Sequence, residues 1–107
     1  MSDLATVACV QMDGRFVVRV TGEIDISNAQ DLAATIESSV PNSAPVLVVD
    51  LTDTRYLDSS GVALLLRLSE RLKARRQELR LLVPRSAPVR AVLELTGLGK
   101  VMALDAE

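Results

Sequence analysis

The residues best equipped for chemistry lie together at Tyr56-Leu57-Asp58-Ser59-Ser60-Gly61. Two adjacent hydroxyls follow a carboxylate, between the apolar run 46–51 and a long helical pattern that begins near Val62. At a helix start the first backbone N–H groups lack intrahelical partners, and the dipole favours negative charge. Three chemistries fit such a place. A plain N-cap contributes about 1 kcal/mol, but one cap needs one hydroxyl and two are present. A nucleophilic Ser59 needs a base, for which Asp58 or Asp25 is available. A phosphate acceptor needs only exposure, and a phosphoserine carries close to two negative charges at neutral pH. Gly61 in the first turn costs up to about 1 kcal/mol against Ala, which points to a close approach of the backbone.

Composition weighs against an enzyme. The 107 residues make one domain, and they include no histidine, the commonest general base and metal ligand. Neither a Gly-x-Ser-x-Gly elbow nor a phosphate-binding loop is present. A carboxylate pair could meet Mg²⁺, but no third protein ligand is evident. The single cysteine, Cys9, excludes an intramolecular disulfide, and its apolar surroundings read as those of a buried thiol. The apolar fraction is 49%, whereas the aromatics are Phe16 and Tyr56 alone, so the core must be aliphatic. Base-stacking platforms have almost no raw material. With a net charge of −2, no nucleic-acid partner is expected, and the basic residues of 67–76 read as a solvated helix face. The first residues lack a signal-peptide profile, and no apolar run approaches the ~18 residues of a membrane span. A cytoplasmic protein with no membrane partner is expected.

The elements that must position these residues follow from periodicity. Residues 4–11 and 15–21 alternate as strands, with a hairpin turn at Met12-Asp13-Gly14. Phe16, Val18 and Val20 share one face. Gly22-Glu23-Ile24-Asp25 reads as an acidic loop. Ser27 opens a helix, completing a capping box with Gln30, and Ala29, Leu32, Ala33, Ile36 and Val40 form its apolar stripe. After a loop at 41–45, residues 46–51 read as a central strand covered on both faces, and 52–57 as a connecting loop. A helix over 61–76 buries Val62, Leu65, Leu66, Ser69 and Leu72, with Leu64 and Leu68 widening the face. A strand at 79–83 leads to a third helix capped by Ser86, with Pro88 in its first turn and Val89, Val92, Leu93 and Thr96 inward. Gly97 suits a left-handed cap with Leu98 as its apolar contact, and 100–104 suit a short last strand before a frayed tail, Asp105-Ala106-Glu107. The fold class is α/β: a mixed sheet in the order β-β-α-β-α-β-α-β with helices packed on it. Functional groups in such sheets gather beyond the carboxyl ends of the strands. If the second and third strands are neighbours, Asp25 and Ser27 lie near Asp58 and Ser59.

Three landmarks carry a family resemblance: Asp58-Ser59-Ser60-Gly61 after an apolar strand, Gly22-Glu23-Ile24-Asp25 after the second strand, and Thr96-Gly97-Leu98 closing the last helix. Together, in order and spacing over nearly the whole chain, they resemble a STAS domain, and more narrowly the bacterial anti-sigma factor antagonists. The resemblance implies one STAS domain over 1–107 that binds a protein, catalyses nothing and holds no cofactor. Its implied partner is an anti-sigma factor serine kinase, which carries the ATP; capturing it frees a sigma factor. Phosphorylation at Ser59 then separates the complex, and a phosphatase restores it. Glu23, Asp25, Ser27, Asp58, Ser60 and Gly61 are the implied partner-binding residues. The same domain also serves in stressosomes and transport systems. The alternative is therefore a ligand-binding or scaffold module that phosphorylation does not switch.

Overall fold

Alternating apolar residues lay stretches 5–12 and 15–24 down as an antiparallel strand pair, and a further strand returns after each helix. The computed structural model describes residues 4–12 and 15–106. The turn expected at Met12-Asp13-Gly14 centres on Asp13 and Gly14, which lie outside the described residues. Strand β1 (Ala5–Met12) pairs antiparallel with β2 (Arg15–Ile24), from Ala5 opposite Gly22 to Met12 opposite Arg15. Then follow α1 (Ala29–Ser39), β3 (Val46–Asp50), β4 (Thr54–Leu57), α2 (Ser59–Ala74), β5 (Glu78–Leu82), α3 (Arg90–Leu95), a 3-10 turn (Leu98–Lys100) and β6 (Ala103–Asp105). The six strands form one mixed sheet in the order β1-β2-β3-β5-β6, with β4 joined to β2 beyond the end of β3. All pairings except β1 with β2 are parallel.

One face of this sheet carries the core. Register places Val18 beside Val49 and Val49 beside Leu81, and all three are fully buried. Ala29, Leu32, Ile36 and Val40 from the first helical segment meet Leu64, Leu65, Leu68 and Leu72 of α2 over that face. A fully buried aliphatic side chain contributes about 1.5–3 kcal/mol, so this layer dominates stability. The opposite face is different. Val48 is buried but stands outside the main cluster, between Val17 and Arg80 in the register. Arg19 pairs with Asp50 at 3.3 Å, and Arg80 with Asp105 at 2.9 Å. The second face of β3 is thus closed by side chains of flanking strands and not, as the apolar run suggests, by a second helical layer.

Other expectations are corrected by tertiary context. Residues 22–24 continue β2, and residues 54–57 are strand β4 rather than loop, because the two stretches pair with each other. The first helix starts at Ala29, and the Ser27–Gln30 capping box is not formed: the Ser27 hydroxyl donates to Asp25 instead. Helix α2 begins two residues earlier than expected, at Ser59. Leu66 is exposed, since it lies about 100° around the helix from Leu65. Ser86 caps nothing; residues 85–89 turn back on themselves, and α3 starts at Arg90. Thr96 points outward as the C-cap of α3, while Gly97 takes φ +73° and Leu98 is buried, as expected. Cys9 is exposed, not buried. It shares the core-facing side with Ala5 and Val7, but β1 is the sheet's edge and only those two pack against the cluster.

Asp105, expected to fray, instead belongs to β6 and accepts two hydrogen bonds from the Arg80 guanidinium, at 2.9 and 3.0 Å. The Arg80 hydrogen bond holds the Asp105 carboxyl below its ordinary range, against some desolvation. A depressed carboxyl stabilises the fold above its ordinary pKa, and that stability disappears as pH falls through the folded value. Arg80→Gln therefore lowers stability at neutral pH, and the gap from the parent narrows as pH falls. Urea unfolding from neutral to acidic pH measures the gap.

Candidate functional site

The site is built where β2 outruns β3. Asp50 ends β3 and is buried. Its Oδ1 accepts from the Thr52 N–H (2.9 Å) and hydroxyl (2.5 Å), and its Oδ2 from Arg19 Nε (3.3 Å). These bonds hold a tight turn, closed by Thr54 N–H to Leu51 O at 3.1 Å. The buried Thr54 hydroxyl then donates to Val20 O at 2.7 Å, which ties the start of β4 to β2. From there β4 takes over as the neighbour of β2: Thr54 opposes Gly22, Tyr56 opposes Glu23 and Leu57 opposes Ile24, with an irregularity between Gly22 and Glu23. Gly22 sits at φ +114°, and a Cβ there would lie 2.1 Å from Leu4 O, so only glycine fits. The carboxyl ends of β2 and β4 emerge side by side.

Beyond β2, Asn28 organises the loop from inside. It is buried; its amide donates to Glu23 O (2.8 Å) and its Oδ1 accepts from Asp25 N–H (2.9 Å). Asp25 Oδ1 in turn accepts from the Ser27 N–H (2.8 Å) and hydroxyl (2.5 Å). The Ser27 hydroxyl, then the Ser27 N–H, hold the Asp25 carboxyl below its usual range despite some desolvation. This knot leaves Ile26 at the loop tip, 83% exposed. Glu23 reaches Arg55 at 3.8 Å, an exposed pair that contributes little.

Beyond β4, the Asp58 N–H donates to Ile24 O at 3.3 Å, fastening the two ends together. Asp58 is the N-cap of α2: its Oδ1 accepts from the N–H groups of Ser60 (2.9 Å) and Gly61 (3.3 Å). Gly61 is buried, and a Cβ on it would lie 2.6 Å from Leu57 Cγ and 3.2 Å from Ile24 Cγ2. The close approach inferred at Gly61 is met within the chain, where the first turn of the helix is seated on Leu57 and Ile24. At about 100° per residue, a Gly61 that faces inward turns Ser59 roughly 200° away. Ser59 is accordingly exposed, and its hydroxyl makes no hydrogen bond among the described residues. Ser60 falls between the two directions and lines a cleft with Ile26.

The structure thus brings Glu23, Asp25, Ser27, Asp58, Ser59 and Ser60 to one end of the sheet, as the neighbouring-strand argument requires. It assigns the cap to the carboxylate and leaves both serine hydroxyls out of it. Asn28 and Thr54 were not singled out in the sequence, although both anchor the site. Asn28 had a signal: Asp-x-Ser-Asn is rich in side chains that bond to nearby backbone. Among the described residues no group of three or more His, Cys, Asp or Glu could hold a metal ion, and no helix is long and apolar enough to cross a membrane.

Two outcomes are expected. Ser27→Ala raises the Asp25 pKa toward the ordinary carboxylate value, read by NMR titration of its side chain. Gly61→Val overpacks the seat against Leu57 and Ile24 and destabilises by about 1–3 kcal/mol, read by thermal unfolding.

Comparison with known proteins agrees with this geometry. Residues 8–104 match the family model described as Mlab, STAS domain. The anti-sigma-F factor antagonist RsfB of Mycobacterium tuberculosis is 31% identical over 103 residues, 95% of this chain and 82% of RsfB. The crystal structure of an anti-sigma factor antagonist from Mycobacterium paratuberculosis superposes with a TM-score of 0.83 at 33% identity, covering 96% of this chain and 86% of that one. SpoIIAA, an anti-sigma factor antagonist solved in its unphosphorylated form, gives 0.72 at 27% identity over 95% of this chain and 90% of its own. The Bacillus SpoIIAA in its phosphorylated form gives 0.65 at the same identity, over 95% and 93%. The chain belongs to the STAS domain family, among its anti-sigma factor antagonists.

Proposed function

We propose that this protein is a phosphorylation-switched antagonist of an anti-sigma factor, with Ser59 as the phosphate acceptor. Unphosphorylated, it binds an anti-sigma factor serine kinase, which carries the ATP, and so frees a sigma factor. Phosphorylation of Ser59 ends the binding, and a phosphatase restores it. The chain itself works as a binding partner and not as a catalyst.

The observation that carries this reading is the division of labour at the start of α2. Asp58 already occupies the N–H groups of Ser60 and Gly61, so the exposed Ser59 hydroxyl is not part of the cap. A phosphate there finds those two donors engaged and a carboxylate beside it. The helix dipole offers such a charge about 0.3–1 kcal/mol. Burying a mismatched charge in an interface costs about 2–5 kcal/mol, so repulsion at the interface prevails. The backbone of the domain has no reason to rearrange, because the cap and the Gly61 seat are untouched. Asp25 and Glu23 add to the negative wall that such a phosphate faces on the neighbouring loop.

The test uses the purified serine-kinase anti-sigma factor from the same genome, with Mg-ATP. Mass spectrometry is expected to place one phosphate on Ser59. Ser59→Ala keeps the complex, and Ser59→Asp weakens it by roughly tenfold or more. Phosphate found elsewhere with Ser59 untouched, or equal binding by the two variants, would sink the proposal. Equal binding is what a ligand-binding or scaffold module predicts.

A further inference from the structure

We infer that the cleft between the Asp25–Asn28 loop, the start of α1 and the first three turns of α2 receives an apolar side chain of the protein partner together with an adjoining carboxylate, and that Arg67 pairs with that carboxylate. The inference rests on the proposed function for the partner's identity, and adds the part of this chain that selects it.

The cleft has a volume of ≈ 310 Å³, and its wall includes Ile26, Gln30, Ser60, Ala63, Leu64 and Arg67. Ser60, Ala63 and Arg67 are spaced by three and four residues, so they form one row along α2. That row starts next to Ser59, and a segment lying in the cleft passes beside the switch residue. The wall is apolar at Ile26, Ala63 and Leu64. Ile26 stands out within the wall: like Leu95 elsewhere, which is 88% exposed, it is a branched aliphatic side chain left 83% exposed, and it sits at the tip of a loop whose neighbours are all tied down. Nothing in the loop's own hydrogen bonding needs an isoleucine there.

The charge of the cleft sets the second half of the inference. Among the described residues, Arg67 is the one ionisable group in the lining. It makes no ion pair or hydrogen bond among the described residues, not even with Glu70 one turn on. The carboxylates nearest in sequence to the cleft are engaged: Asp25 by Ser27, Asp58 by the α2 cap, Glu23 by Arg55. Those three carboxylates keep their negative charge, but none of them lines the cleft, and the charged group that does is the Arg67 guanidinium. An arginine fork matches a carboxylate with two parallel hydrogen bonds, and complementary charge governs partner choice more than bulk affinity. The Gln30 amide and the Ser60 hydroxyl are neutral donors in the same wall.

The experiment measures binding of the purified serine-kinase anti-sigma factor from the same genome to the parent chain and to four variants, at low and high salt. Arg67→Glu and Ile26→Asp are each expected to weaken the complex by roughly tenfold or more. Arg67→Gln should weaken it less than Arg67→Glu and lose part of its salt dependence. Lys73→Glu, an exposed change in the last turn of α2 and outside the cleft, should leave binding unchanged. Thermal unfolding verifies that each variant is folded, and all these positions except Ile26 lie on exposed helix surface. If the parent binds and Arg67→Glu binds equally, the inference is overturned while the proposed function stands. Equal losses for Arg67→Gln and Arg67→Glu with no salt dependence overturn the carboxylate pairing. If the parent itself does not bind, both readings fail together.

Discussion

The first turn of α2 rests on the ends of β2 and β4 with no space for a side chain at residue 61. The placement of Asp58, Ser59 and Ser60 depends on that contact. A Cβ at Gly61 would press into Leu57 and Ile24, so the helix comes as close to the sheet as backbone can. Helical geometry then leaves no choice for its neighbours: residue 59 turns to solvent and residue 60 to the cleft. The Asp58 cap and the bond from its N–H to Ile24 O hold the same junction from the other side.

The seat in turn needs β4. Without that short strand, β2 would extend past β3 with an unpaired edge, and Ile24 and Leu57 would not form a floor. Three small devices place β4 there: the Asp50–Thr52 turn, the buried Thr54 hydroxyl on Val20 O, and Gly22 in a conformation closed to other residues. The first two satisfy polar groups that burial would otherwise leave unpaired, at a cost of about 1–3 kcal/mol, and the third lets β1 approach where a Cβ would collide with Leu4 O. The polar atoms here do the positioning, and the aliphatic layer beneath supplies the stability.

Much of this was legible in the residues. The apolar stripes of α1 and α2, the alternation of β2, the left-handed Gly97 and the place of Ser59 at a helix start all follow from periodicity and cap chemistry, which are local. What failed was also local in appearance. Thr54-Arg55-Tyr56-Leu57 is too short to announce a strand, and it is one only because residues 22–24 lie beside it. Ser27 looked like a cap because Gln30 follows at the right spacing, but a carboxylate two residues earlier competes for the same hydroxyl. Cys9 looked buried because its strand is apolar, and sequence says nothing of which strand becomes the edge. Asp105 looked frayed because its partner, Arg80, is 25 residues away.

The sequence by itself determined the class of the fold and the helix that carries Ser59, since these depend on residue types and on spacing of a few positions. Only the tertiary structure decided which group caps α2, which hydroxyl faces water and which loop stands opposite. Those outcomes turn on competition between donors and acceptors brought together by strand pairing, and that pairing joins residues some 30 positions apart. Tyr56-Leu57-Asp58-Ser59-Ser60-Gly61 named the chemistry, and the approach of Gly61 to Leu57 and Ile24 gave it a direction.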